Sequence, residues 1–429
     1  MKQNFVEELR WRGMLHDITP ETEELLNKGM VKGYIGFDPT ADSLGIGNLV
    51  QVMTLLHFQK CGHKPIALVG GATGMVGDPS GKSAERNMLS EDQLRYNLRS
   101  QKKQIAKFLD FKCDGNSAEI VNNYNWFKKI SFLDFIRDVG KHINVSYMLA
   151  KDSVKNRLEN GMSFTEFSYQ LVQGYDFYYL WKNHDVKLQL GGSDQWGNIV
   201  TGTELIRKKT SGEGDAYAVT TQLIKKADGT KFGKSESGNI WLDPKKTSPY
   251  KFYQFWLKAS DEDIKTWIRV FSMKGKEEIE ALEKQQDEAP HLRLLQKTLA
   301  EEITIRVHSK KALTHAKKLT NILFAKDVKA QLFKLKENEL KDIFDGIPTY
   351  RIAKEKILIG INILDALTQE AILFSSRGEL KKLMQSNALR INMEKISDIN
   401  TNLTLENLIN GKYIVVRKGK DKDSLIIIE

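Results

Sequence analysis

Short β-rich runs alternate with helix-length amphipathic stretches through the first half of the chain. GYIGF (33–37), KPIALVGG (64–71) and VKLQLGG (186–192) read as strands, because aliphatic and β-branched residues dominate runs too short for a buried helix. NLVQVMTLLHFQK (48–60) carries helical periodicity, a charged helix is expected over roughly 90–109, and another begins just after Gly192. Such alternation predicts an α/β fold, a doubly wound, Rossmann-like parallel sheet with right-handed crossovers. Ligands in these sheets sit beyond the carboxyl ends of the strands. Glycines cluster there, after Phe37, Val69 and Leu190.

From about residue 246 the strand signal fades. PYKFYQFWLKASDEDIKTWIRVF and the stretch from about 289 to 336 place apolar residues at helical spacing, joined by short polar turns. A further change near Pro348 opens a small mixed segment, with a helix at RGELKKLMQS, a turn, and strand-rich KYIVVRKG and SLIIIE. The expected organisation is a catalytic domain over 1–245, a helical domain over 246–345 and a small α+β domain over 346–429.

Composition narrows the function classes. A chain of 429 residues is expected to form two or three domains, and 41% hydrophobic with 28% charged residues is the balance of a folded soluble protein. No apolar run reaches the roughly 18 residues of a membrane span. The start, MKQNFVEELRWRG, lacks the apolar stretch of a signal peptide. Cys61 and Cys113 are too few for a disulfide framework. A cytoplasmic protein without membrane insertion is expected. The formal charge of +10 points to a polyanionic partner, since Lys and Arg displace counterions from a phosphate backbone. Basic residues outnumber acids over 301–340 and 351–429 without forming a tail, which suits a folded surface lying along RNA.

Five segments carry candidate chemistry. FDPTADSLGIGNL (37–49) is a strand, a loop and the start of a helix; Asn48 reads as its cap, and Gly45 and Gly47 let a ligand approach the backbone. Unpaired N–H groups and the positive dipole end make such a start a phosphate site. VGGATGMVGDPSGKSAER (69–86) holds five glycines with Asp78, Lys82 and Arg86, but its spacing is not that of a Walker loop. In FTEFSYQLVQGYDFYYLW (164–181), Tyr169, Gln173 and Asp176 fall within roughly 60° of one another on a helix. No Lys or Arg occurs in that stretch, so a lined pocket is favoured over a solvated face. LGGSDQWGNI (190–199) sets Asp194 and Gln195 at a helix start, where an acid can bond ribose hydroxyls. KKADGTKFGKSESG (225–238) carries Lys231 and Lys234 in a Gly/Ser setting suited to a departing pyrophosphate. Taken singly, each segment also has a plainer reading as a turn, a polar face or a basic loop.

Taken together and in order, GDPSGKSAER, YQLVQGYD, GGSDQWGN and KFGKS resemble the bacterial tyrosyl-tRNA synthetases, class I aminoacyl-tRNA synthetases, nearly end to end. The resemblance implies an enzyme that activates L-tyrosine with ATP, Mg2+ accompanying the nucleotide, and transfers it to tRNA(Tyr), working as a homodimer with Phe164 at the interface. Tyr34 and Asp176 are implied to hold the phenol hydroxyl; Asp78, Tyr169 and Gln173 to cradle the α-ammonium, with Gln195 near the carboxylate. Gly36, Asp38, Gly47, Asn48, Gly192, Asp194 and Lys234 are the implied nucleotide contacts. Thr40, Lys82, Arg86, Lys231, Lys234 and Ser235 are the implied set around the leaving pyrophosphate. Ser376, Arg377, Lys381, Lys382, Arg417 and Lys418 are the implied RNA contacts, in a terminal module like that of a small-subunit ribosomal protein. No resident metal is expected.

The chain departs from the pattern at one place. Class I enzymes carry a His-Ile-Gly-His type signature where this chain has Gly45-Ile46-Gly47-Asn48. A slower but working enzyme is the expectation. Two rival readings stand beside it: a tryptophan-specific relative sharing fold and ATP signatures, and a catalytically silent RNA-binding descendant made thinkable by Gly45. Tyr34 with Asp176 argues against the first, and both retained lysines against the second.

Overall fold

The computed structural model describes residues 4–80, 89–151, 154–155, 161–235, 238–323, 325, 327–419 and 422–429. They form two compact units, one of residues 1–234, 239–246 and 256–307, the other of 235–238, 247–255 and 308–429. The stretch 246–345, read from the sequence as one helical domain, is thus shared between them.

The first unit is built on six strands: β1 (Leu15–Ile18), β2 (Lys32–Phe37), β3 (Lys64–Val69), β4 (Glu119–Asn122), β5 (Leu188–Gly192) and β6 (Tyr217–Thr221). Their spatial order is β1-β6-β5-β2-β3-β4. All neighbours pair in parallel except β1, which runs antiparallel along β6. The chain moves from β2 to β3 and β4 on one side and resumes with β5 and β6 on the other. The crevice beyond the carboxyl ends of β2 and β5 is therefore the switch point of a doubly wound sheet. Three strands match the sequence reading. β1 escapes it because His16 and Asp17 interrupt its apolar pattern, and β4 because it is four half-buried residues with Glu and Asn at its ends.

Five helices of this unit shape the crevice and brace its walls: α1 (Ile46–Lys60), α2 (Glu91–Ile105), α3 (Phe164–His184), α4 (Trp196–Lys209) and α5 (Asp261–Phe271). Ser163 caps α3 by accepting the Glu166 N–H, and α3 buries Tyr169, Asp176, Phe177 and Leu180 against the sheet. Tyr34, Ile66, Leu68 and Trp126 join Phe177 and Leu180 in one apolar cluster. The cap of α1 corrects the sequence reading. Gly45 holds the cap position, and Asn48, in the first turn, reaches back to accept the Gly45 N–H at 3.1 Å. Fully buried Arg12 pairs with Glu8 at 2.8 Å and donates to the carbonyls of Arg269, Ser272 (2.9 Å) and Lys274 (2.8 Å). Burial lowers its pKa against the pull of Glu8. Four acceptors are what make a buried guanidinium tolerable.

The second unit includes α6 (Arg377–Gln385) and a sheet of β7 (Thr349–Ile352), β8 (Leu389–Ile391), β9 (Glu394–Lys395), β10 (Tyr413–Lys418) and β11 (Lys422–Ile428). The sheet order is β9-β8-β10-β11-β7. Leu380 and Met384 of α6 pack with Ile414, Val416, Ile426 and Ile428 in its core. Among the described residues, no helix is long and apolar enough to cross a membrane.

Candidate active site

A cleft of about 620 Å3 opens at the switch point. Tyr34 and Gly36 of β2, then Asp38 and Thr40, form one wall. Tyr169, Gln173 and Asp176 of α3 face it, so the helical trio and the glycines meet in one cavity. Gly47 and Asn48 of α1, Gly192 at the end of β5, Asp194 and Gln195 just beyond it, Asp78 and Lys231 complete the expected set found there. Lys234 is exposed and does not line the cleft; its carbonyl accepts the Lys226 ammonium at 3.2 Å. Lys82, Arg86 and the side chain of Ser235 lie outside the described residues.

At the inner end Asp176 is 1% exposed. It accepts one N–H at each oxygen, from Asn123 Nδ2 and from Trp126 Nε1, both at 2.9 Å. Burial pushes its pKa up to about 8 in spite of these donors. The Tyr34 hydroxyl is buried without a hydrogen-bond partner, and burial, then the nearby Asp176 charge, raises its pKa well above the ordinary phenol value. An unpaired buried hydroxyl costs about 1–3 kcal/mol. The Gln173 carbonyl is buried and unpartnered as well.

The middle of the cleft is a carboxylate relay. Tyr169 donates its hydroxyl to Asp38 (2.9 Å), which also accepts the Thr73 hydroxyl at 2.7 Å. Burial and then Asp38 raise the Tyr169 pKa. Gly70 makes this possible, since a β-carbon there would sit 2.4 Å from the Asp38 carboxylate. Asp78 accepts the Gln195 amide at 2.9 Å and the Ser80 N–H at 3.0 Å, with Asn198 at 3.4 Å. Tyr169 with Asp38, and Asp78 with Gln195, were expected to serve different parts of the ligands. Here each couple is one hydrogen-bonded unit. Asn123, Trp126, Thr73 and Asn198 were not singled out from sequence. The available signal was EIVNN (119–123), a polar pair closing a weak strand where strand ends carry the chemistry.

Two sequence families describe most of the chain: "tRNA synthetases class I (W and Y)" over residues 26–325 and "Tyrosine--tRNA ligase SYY-like C-terminal domain" over 339–426. The chain is 57% identical over 431 residues to the Tyrosine--tRNA ligase of Porphyromonas gingivalis W83, covering 99% of this chain and all of that one. It is 56% identical over 429 residues to that of Bacteroides thetaiotaomicron, covering 99% of each.

The chain belongs to the tyrosine–tRNA ligase family of class I synthetases.

A solved member, the C-terminally truncated mitochondrial tyrosyl-tRNA synthetase of Aspergillus nidulans, is 30% identical with a TM-score of 0.66, over 75% of this chain and 94% of its own. The Plasmodium falciparum tryptophanyl-tRNA synthetase, at 12% identity and a TM-score of 0.50 over 79% of this chain and 88% of its own, shares the fold alone. Membership makes the chain an ATP-dependent aminoacyl-tRNA synthetase, as the sequence reading expects, and the doubly wound core of that reading is present. The family's signature histidine remains absent: Gly45 sits at φ −88°, ψ 168°, where any residue fits, and a β-carbon would lie 3.4 Å from the Ile240 carbonyl, an ordinary contact.

Proposed function

We propose that this chain joins tyrosine to tRNA(Tyr) in two steps within the cleft. The observation that carries the reading is the inner end: a partnerless Tyr34 hydroxyl beside an Asp176 carboxyl already oriented by two N–H donors. A phenol O–H entering there donates to Asp176 and accepts from Tyr34, which completes both. Asp78, Tyr169 and Gln173 line the path of the ammonium, and Gln195 lies toward the carboxylate. Tyrosine's own carboxylate attacks the α-phosphorus of ATP in line and pyrophosphate leaves. The protein supplies no nucleophile, only placement and charge compensation. Thr40, Lys231 and Lys234, with Lys82, Arg86 and Ser235, act on the phosphates, while Gly36, Asp38, Gly47, Asn48, Gly192 and Asp194 take adenosine and ribose. The terminal ribose of tRNA then attacks the acyl carbon and AMP leaves.

Mg2+ enters with ATP. Magnesium held chiefly by phosphates needs only one or two carboxylates, and Asp38, Asp78 and Asp194 put carboxylates on the cleft wall. The ion offsets phosphate charge. Tyrosine-dependent ATP–pyrophosphate exchange tests the reading. Exchange with tyrosine, and none of comparable efficiency with tryptophan or phenylalanine, is expected; preference for tryptophan would sink it.

The second unit is the RNA-facing part. Lys381 and Lys382 are exposed on α6, whose cap is Ser376. Arg377, Arg417 and Lys418 form ion pairs with Asp365, Asp423 and Glu379. The exposed pairs of Arg377 and Lys418 contribute about 0–1 kcal/mol, so phosphates compete for them, whereas the bidentate Arg417–Asp423 pair is more buried. Removing the residues after about 345 is expected to leave pyrophosphate exchange intact and weaken tRNA charging at least about tenfold, the loss of several phosphate contacts. Equal loss of both activities would refute the division.

A second copy of the chain covers the apolar face at Phe132, Leu133, Val145 and Phe164, each more than half exposed. The inner sides of these segments pack in one cluster with Val139, Ile143, Met148 and Leu205. Exposed apolar surface of this kind marks an interface. Phe164→Asp is expected to halve the sedimenting mass; an unchanged mass would remove this face from the interface. A cytoplasmic location fits the proposed partners and reaction.

A further inference from the structure

The segment holding Lys231 is a hairpin. Lys225 and Lys231 pair in antiparallel fashion, the Lys226 N–H reaches the Thr230 carbonyl (3.1 Å), and Gly229 turns the chain at φ +79°. Nothing in its own sequence, KKADGTKFG, has the apolar content to fix it in place. What fixes it is α5. Asp263, in the first turn of that helix, accepts the Ala227 N–H at 2.8 Å. One turn on, the Trp267 ring meets Phe232 edge to face at 5.0 Å; a further turn on, Phe271 stacks against it at 5.5 Å. Trp256 closes the nest, 4.9 Å from Phe271 and 5.8 Å from Trp267. All three nest rings are buried.

Positions 263, 267 and 271 are four residues apart and so share one helix face. That face touches the hairpin at its tip and at its base. Gly233, next to Phe232, adopts φ +87°, and a β-carbon on it would stand 3.3 Å from the Gly47 N. The hairpin base thereby backs onto the start of α1, whose Gly47 and Asn48 line the cleft with Lys231. The same α5 is braced on α1 from the other side, where His57 Nε2 meets the Val270 carbonyl at 3.2 Å. One helix supports the lysine hairpin and packs on the last turn of the helix whose start that hairpin backs onto.

We propose that α5, through Asp263, Trp267 and Phe271, is the positioning element that sets Lys231 over the nucleotide, with Phe232 as the side chain that plugs the hairpin into it. The residues of α5 act through the hairpin. The proposal rests on the reading that Lys231 acts on the phosphates of ATP. Its consequence is selective: loosening the seat harms the ATP-dependent step and leaves the tyrosine pocket, on α3 and β2, as it was.

The test uses the full chain and pre-steady-state tyrosyl-adenylate formation, with tyrosine affinity measured separately by equilibrium dialysis without ATP. Phe232→Ala is expected to slow adenylate formation about tenfold or more and to change the tyrosine Kd by less than about twofold, since small misplacements of a charge-stabilising group cost rate steeply. Phe232→Leu, which refills the nest, restores most of the rate. Asp263→Ala, on the helix surface, gives a smaller loss in the same direction and guards against a folding defect from an emptied nest. In a Lys231→Ala background, Phe232→Ala adds little, because a group already removed cannot be misplaced. Parallel loss of tyrosine binding and rate, or full additivity with Lys231→Ala, overturns the proposal. A wild-type rate in Phe232→Ala beside an impaired Lys231→Ala sinks the seat alone. A wild-type rate in Lys231→Ala sinks the lysine reading beneath it.

Discussion

Asp176→Asn is expected to cut the preference for tyrosine over phenylalanine by roughly 30- to 150-fold, measured as the ratio of kcat/KM values in ATP–pyrophosphate exchange. The carboxyl accepts an N–H at each oxygen, from Asn123 and Trp126. An amide in its place must turn its NH2 toward one of these donors, so the substitution sets two donors against each other as well as leaving the substrate hydroxyl only a neutral amide oxygen. The interaction of a hydroxyl with the ionised carboxylate contributes about 2–3 kcal/mol, which is that ratio, and it is fully present only above the raised pKa of Asp176, about 8. Phenylalanine makes no bond to either group and gains nothing from Asp176. Tyr34→Phe removes the other partner, a neutral one, and is expected to lower the ratio about fivefold, near 1 kcal/mol. Ratios unchanged in both variants would mean that the phenol binds elsewhere.

Gly45→His is expected to accelerate tyrosyl-adenylate formation by as much as about a hundredfold, the roughly 3 kcal/mol typical of one donor aimed at developing charge. The backbone at 45 is extended, not left-handed, and an added β-carbon meets only the Ile240 carbonyl at 3.4 Å and Asn48 Oδ1 at 3.8 Å, so neither backbone nor β-carbon opposes a side chain there. Tyrosine affinity should stay as it is, because the proposed phenol end, Tyr34 and Asp176, lies on β2 and α3. Rapid-quench measurement of adenylate formation in the two proteins reads the difference. A rate equal to or below that of the glycine enzyme would show a phosphate site rebuilt around Gly45.

Much of the site was legible because its information is local. The spacing of Tyr169, Gln173 and Asp176 fixes a common face whatever packs against it, and glycines following a short aliphatic run mark a strand end in any doubly wound sheet. The parts that were not legible depend on partners far along the chain. Asn123 and Trp126 acquire their role only because β4 sits beside β3 and brings them under α3, and four half-buried residues give no periodicity to announce that. Asn48 has the right chemistry for a cap but stands three residues inside one. The hairpin of Lys231 reads as a plain basic loop because its order is supplied by residues of α5. The ion pairs of Arg377, Arg417 and Lys418 are equally invisible, since their acids arrive from a short helix ending at Asp365, from β11 and from α6.

Arg12 has a bearing on how this polypeptide can be divided. Its guanidinium bonds a carbonyl 260 residues away in the chain, and its other partners lie on either side of that span. A cut near 245 would therefore strand a cation in an apolar interior and leave main-chain oxygens without their donor. The first helix of the chain, Phe5–Trp11, with Arg12 as its C-cap and the least conspicuous stretch for chemistry, is in effect the clasp that makes 256–307 part of the nucleotide-binding body.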